Sequence, residues 1–160
     1  MITSIRLKNF KNFADETLRV GPFTILVGAN ASGKSNIRDA FRFLSGIGRG
    51  YTLAEIFGGK REAGWSPIRG AMNEIVRFGQ EAFAIEVGLK LGGKEWLYSI
   101  EVSRSMNNTL HVTKEELKME SKTIYNVLRE TGPTAFRSRE IICPFFQNTQ
   151  LIKLRLSLGF

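Results

Sequence analysis

Cysteine and histidine are nearly missing from this chain, which has one of each, Cys143 and His111, in 160 residues. A single thiol excludes an internal disulfide framework and fits a reducing compartment, so the expected location is the cytoplasm. One thiol and one imidazole also leave little material for a classical zinc site. No apolar run approaches the roughly 20 residues needed to cross a bilayer, so no membrane partner is expected. The opening residues, MITSIRLKNF, alternate charged and apolar groups and lack the apolar core of a secretory signal. Internal repeats and low-complexity segments are absent as well, which excludes a repeat array.

What is present describes an ordinary globular domain. The hydrophobic fraction is 42% and the charged fraction 24%, and the length suffices for one domain with a real core. The net charge of +8 permits an anionic partner such as DNA. The Lys and Arg residues are spread along the chain and form no block, so a basic, solvated surface is the plainer reading.

The pattern along the chain divides into four parts, all assigned to one partial domain over 1–160. In the first part, 1–50, residues 2–8 read as a strand with Ile5 and Leu7 on one face and Arg6 and Lys8 on the other. A polar connection over 9–15 leads to a short strand near 17–20, and Gly21-Pro22 marks a turn. Residues 23–27, Phe-Thr-Ile-Leu-Val, form an apolar run predicted to be a strand buried on both faces. A helix follows, with Ile37, Ala40, Phe41 and Leu44 on one face and Gly46, Gly48 and Gly50 at its end. The second part, 51–81, is an irregular connection with a short helix over 53–57. The third, 82–128, alternates with period two and predicts an antiparallel meander of about four strands. Gly92-Gly93 and Asn107-Asn108 mark turns, and a bulge is expected between Val112 and Leu117, where the parity slips. The fourth part, 129–160, is a helical or irregular tail that stops on an apolar stretch. That ending is expected of a fragment of a longer chain.

One motif carries chemistry. Gly28-Ala29-Asn30-Ala31-Ser32-Gly33-Lys34-Ser35 matches GxxxxGK[ST] in full, the Walker A P-loop. Gly28 and Gly33 permit backbone torsions and close approaches closed to other residues. The loop presents successive N–H groups to phosphate oxygens, and the helix that follows adds its dipole. Lys34 supplies a full charge for the β- and γ-phosphates, and Ser35 a hydroxyl for Mg²⁺. Hydrolysis needs more, namely a carboxylate at the end of an apolar strand and a group to position water. No apolar run of four or five ends in Asp-Glu. The pair Glu115-Glu116 follows no such strand and reads as a solvated strand edge. Asp15 and Asp39 read as isolated surface or helix residues.

MITSIRLKNFKNF and FTILVGANASGKSNIRDAFRFL together resemble the amino-terminal lobe of ABC-type ATPases of the SMC/Rad50/RecF group, most of all the AAA_21/OLD-like predicted ATPases. Residues 53–57, 65–70 and 77–79 also look like that subgroup, and the resemblance spans roughly residues 1–150. It implies an α/β (α+β) P-loop NTPase, an ABC-ATPase-like amino-terminal lobe with an antiparallel β subdomain. It implies ATP and Mg²⁺ as cofactors and a nucleotide sandwiched in a homodimer. DNA is a possible partner. By position it places Lys11, Asn12, Asn30 and Asn36 near the nucleotide, beside Ala31, Ser32 and the other loop residues. Gln147 matches a glutamine that senses the γ-phosphate, or is a polar helix residue. Leu156-Ser157-Leu158-Gly159 echoes the family's signature motif, but without the helix that should follow it reads as coincidence. Cys143 reads as a buried thiol and not a nucleophile.

The sequence therefore predicts ATP binding as part of an SMC/RecF-like ATPase, with little or no turnover by this chain alone. Two rivals remain at this point. One is a degenerate P-loop module that binds nucleic acid or a protein through a basic surface, and whose binding would weaken steeply with salt. The other is a small P-loop kinase, which the meander over 82–128 argues against.

Overall fold

A computed structural model describes residues 1–58, 65–70 and 74–128. The elements are β1 (Ile2–Phe10), β2 (Phe13–Arg19), α1 (Lys34–Gly48), α2 (Leu53–Gly58), β3 (Ala82–Leu91), β4 (Lys94–Arg104), β5 (Leu110–Met119) and β6 (Lys122–Leu128). The six strands form one sheet in the order β2-β1-β3-β4-β5-β6, and every neighbouring pair is antiparallel. The meander expected over 82–128 is thus present as β3 to β6. It is continued on one side by the hairpin of β1 and β2.

Alternation decides what each strand buries. Ile5 and Leu7 of β1, Phe83, Ile85, Val87 and Leu89 of β3, and Tyr98, Ile100 and Val102 of β4 turn to one face. On the opposite face Arg6 reaches Asp15 and Glu86, and Lys8 reaches Glu86. The helices cover the apolar face through a run of aromatic rings. Phe10 meets Phe83 edge-on at 5.3 Å, Phe83 meets Phe43 of α1 edge-on at 5.6 Å, and Phe43 stacks on Phe57 of α2 at 5.9 Å. This series joins the sheet to the helix that begins at the P-loop.

The bulge falls where the parity slip indicated. Pairing jumps from Glu101↔Lys114 to Val102↔Val112, which leaves Thr113 without a partner residue. That extra residue has a consequence for the acidic pair. It shifts the alternation so that Glu115 shares the inward face with Leu117. Glu115 is fully buried and accepts a 2.8 Å hydrogen bond from the Tyr98 hydroxyl. Glu116, also buried, pairs with Lys118 at 2.9 Å on the other face. The expected solvated edge is therefore wrong, since β6 covers β5 on that side.

Four other expectations change. Residues 23–27 form no strand, and Phe23 and Val27 are 82% and 89% exposed. A strand buried on both faces needs paired neighbours and covering layers, and among the described residues no strand pairs with it. The connection over 9–15 shrinks to a turn at Lys11 and Asn12, because both strands extend further than predicted. The deepest apolar side chains of α1 are Ala40, Phe43 and Ile47, with Ile37, Phe41 and Leu44 packed at the flank of the core. Finally, Gly46 lies inside α1 and does not end it. A Cβ there would stand 2.6 Å from Cγ1 of Ile56, so this glycine allows α2 to approach closely.

Candidate functional site

The P-loop connects the exposed segment over 23–27 to α1. Gly33 caps the helix at φ 93°, a left-handed conformation that favours glycine. No side chain caps α1 and its first turn holds no acidic residue, so the helix N-terminus retains its positive partial charge. Ala31 also has a positive φ, 66°, which costs a non-glycine residue about 1–2 kcal/mol. Ser35 is exposed on the first turn of the helix.

The loop curls around Lys34. Its ammonium donates to the Gly28 carbonyl, to the Ala29 carbonyl at 2.6 Å and to Ser32 Oγ at 3.3 Å. A Cβ at Gly28 would lie 2.9 Å from Ser32 Oγ, so a larger residue there would have to turn the serine hydroxyl aside. The donor set fits a polyphosphate: backbone N–H groups, one ammonium and an uncapped helix start, with no carboxylate in the loop. For Mg²⁺ the loop offers an oxygen ligand, the exposed Ser35 hydroxyl, which would hold the ion. Among the described residues no three His, Cys, Asp or Glu side chains converge on a separate metal site.

The turn between β1 and β2 supports the loop from the side. Asn12 Oδ1 accepts from Asn36 Nδ2 at 2.7 Å, and the Phe13 ring would lie 3.1 Å from a Cβ at Gly33. Asn12 and Asn36 therefore stand together at the helix start. Lys11 is turned elsewhere. Its ammonium contacts Asp39 Oδ2 at 2.5 Å and the Arg69 carbonyl at 2.7 Å. Asn30 is an exposed residue of the loop. Gln147, Cys143 and residues 156–159 lie outside the described residues.

Asp39, read from the sequence as an isolated surface or helix residue, lies on the helix but is neither at the surface nor isolated. It is fully buried on α1 and bound by both Lys11 and Arg69. The available signal was a carboxylate next to Ala40 on the apolar stripe of the helix. A charge in that position has to be paired when buried.

Residues 23–141 match the family described as "AAA domain, putative AbiEii toxin, Type IV TA system". The chain belongs to this AAA-domain family. It is 46% identical over 63 residues to the chromosome partition protein Smc of Clostridium kluyveri, covering 38% of this chain and 5% of that protein. It is 27% identical over 135 residues to the DNA double-strand break repair Rad50 ATPase of Sulfolobus acidocaldarius, covering 81% of this chain and 13% of that protein. A solved structure of the recombination mediator protein RecF-ATPrS in the RecFOR pathway overlaps with a TM-score of 0.42 at 20% identity, covering 78% of this chain and 28% of that one. The chain thus spans a small part of each relative. As a member of the AAA-domain family related to Smc and Rad50, it is an amino-terminal lobe of the SMC/Rad50/RecF type with a P-loop NTPase fold. Its kinship is with P-loop ATPases in general. No described helix is long and apolar enough to cross a membrane.

Proposed function

We propose that this chain binds ATP with Mg²⁺ through residues 28–35 and serves as the P-loop part of an SMC/RecF-like ATPase. The observation that carries this is the loop itself. Glycines at both ends let it close around one ammonium directly before an uncapped helix. In this reading the loop amides and Lys34 hold the phosphates. Ser35 meets Mg²⁺, and Asn12 and Asn36 brace the helix start. Gln147 is retained as a candidate γ-phosphate sensor. The chain lacks an apolar run ending in Asp-Glu, so binding with little turnover is proposed for it alone, as one partial domain. A homodimer across the nucleotide, contact with DNA and a cytoplasmic location belong to the same proposal.

The test is Lys34→Ala. A fluorescent, non-hydrolysable ATP analogue with Mg²⁺ should bind the unchanged chain, and the variant should fail to bind while keeping its circular dichroism spectrum. Equal binding by the two would show that the nucleotide sits elsewhere. The same titration at rising salt separates the interaction-module reading. Nucleic acid held by its phosphate backbone would weaken steeply with salt and would be held by the variant as well.

A further inference from the structure

We propose that Asp39 is a positioning residue for nucleotide binding, with Lys11 as its anchor and not as a phosphate ligand. This rests on the nucleotide reading of residues 28–35. Asp39 has 0% exposure, and the Lys11 side chain has 10%. A buried carboxylate is tolerated only with charged partners, and among the described residues Asp39 has two: Lys11 at 2.5 Å and the Arg69 guanidinium at 3.1 Å. Arg69 is half-exposed, so Lys11 is the partner enclosed with the carboxylate.

Lys11 is fixed at both ends. Its ammonium spends two of three donors on Asp39 and the Arg69 carbonyl. Its backbone N–H donates to the Ile75 carbonyl at 2.8 Å, and its φ of 52° is left-handed. A non-glycine residue holds that conformation only when its surroundings enforce it. The next residue, Asn12, bonds to Asn36, and its Nδ2 would stand 3.0 Å from a Cβ at Gly33. Asp39 thereby fixes Lys11, Lys11 fixes the turn, and the turn stands beside Gly33, the left-handed residue at the start of α1.

The alternative assignment, Lys11 as a direct phosphate ligand, makes the opposite prediction. Removing the Asp39 carboxylate would then release a cation toward the phosphates and delete a nearby negative charge, so binding would hold or tighten. If Asp39 acts by position, the same change loosens the turn and binding weakens.

The experiment measures the affinity of the full chain for the fluorescent ATP analogue with Mg²⁺, alongside thermal unfolding. Asp39→Asn should weaken binding by about 10- to 100-fold, by analogy with the loss when an outer partner of a metal ligand is removed. In Lys11→Met/Asp39→Asn, which has no unpaired buried ammonium at this site, the unfolding temperature should recover while the affinity stays low. A purely structural role would restore both together. Asn12→Ala changes an exposed residue and remains testable if Asp39→Asn fails to fold, and it should also weaken binding. Unchanged or tighter binding by Asp39→Asn, or unchanged binding by Asn12→Ala, overturns the inference while Lys34→Ala still abolishes binding. If Lys34→Ala binds normally, the nucleotide reading fails and this inference falls with it.

Discussion

Replacing Gly46 with alanine sets two effects of known size against each other. Alanine in a helix interior is worth about 1 kcal/mol over glycine. On that ground alone Gly46→Ala in α1 should stabilise the protein. The packing opposes it. The added Cβ would stand 2.6 Å from Cγ1 and 2.9 Å from Cδ1 of Ile56, and 3.0 Å from Cη2 of Trp65. Ile56 is fully buried and cannot swing into solvent, so α2 must shift. Overpacking of this kind costs about 1–3 kcal/mol, and a contact this short belongs at the upper end. The net expectation is a loss of about 1–2 kcal/mol. Urea unfolding followed by circular dichroism should show a lower midpoint at an unchanged slope. Gly58→Ala is the control, since a Cβ there meets nothing within 4 Å and the change should be neutral or mildly stabilising. If Gly46→Ala raises the midpoint as the control does, the close approach of α1 and α2 is wrong.

Other expectations follow from single contacts. Phe43→Ala removes a fully buried ring that joins Phe83 to Phe57. It should cost about 3–5 kcal/mol in urea unfolding and loosen the helix behind the P-loop. Tyr98→Phe deletes the hydrogen bond to buried Glu115 and should cost about 1–3 kcal/mol by the same measurement. The hydrogen bond from Arg6 holds the Asp15 carboxyl below its ordinary value of 3.8. A depressed value means that the pair stabilises the fold above the ordinary aspartate range, and that this contribution fades as the pH falls through the folded value. Asp15→Asn should therefore lower the neutral plateau of a stability–pH curve slightly, since the pair is exposed, and the two curves should converge in acid, which flattens the acid limb.

Patterns that depend on neighbours along the chain were legible in the sequence. The helix after the glycine-rich loop, the short helix near Leu53 and the four strands from Ala82 are set by local spacing. Each appears where its period indicated. Even the bulge at Thr113 was announced by a slip in parity. The acidic pair was misread because burial of Glu115 depends on Tyr98 across the sheet and on β6 beyond it. Gly46 was misread because its role lies in Ile56, on another helix.

By itself the sequence determined the GxxxxGK[ST] pattern, since two glycines, a lysine and a serine at fixed spacing lie within a few residues of one another. It also determined the alternation that makes one sheet face apolar. Only the tertiary structure decided that residues 23–27 stand exposed and, among the described residues, unpaired, because strand pairing requires a partner that spacing cannot supply. It likewise decided that Lys11 faces Asp39 and not the P-loop. A buried charge takes the nearest opposite charge in space, and Lys11 and Asp39 meet only when the β1–β2 turn folds onto α1.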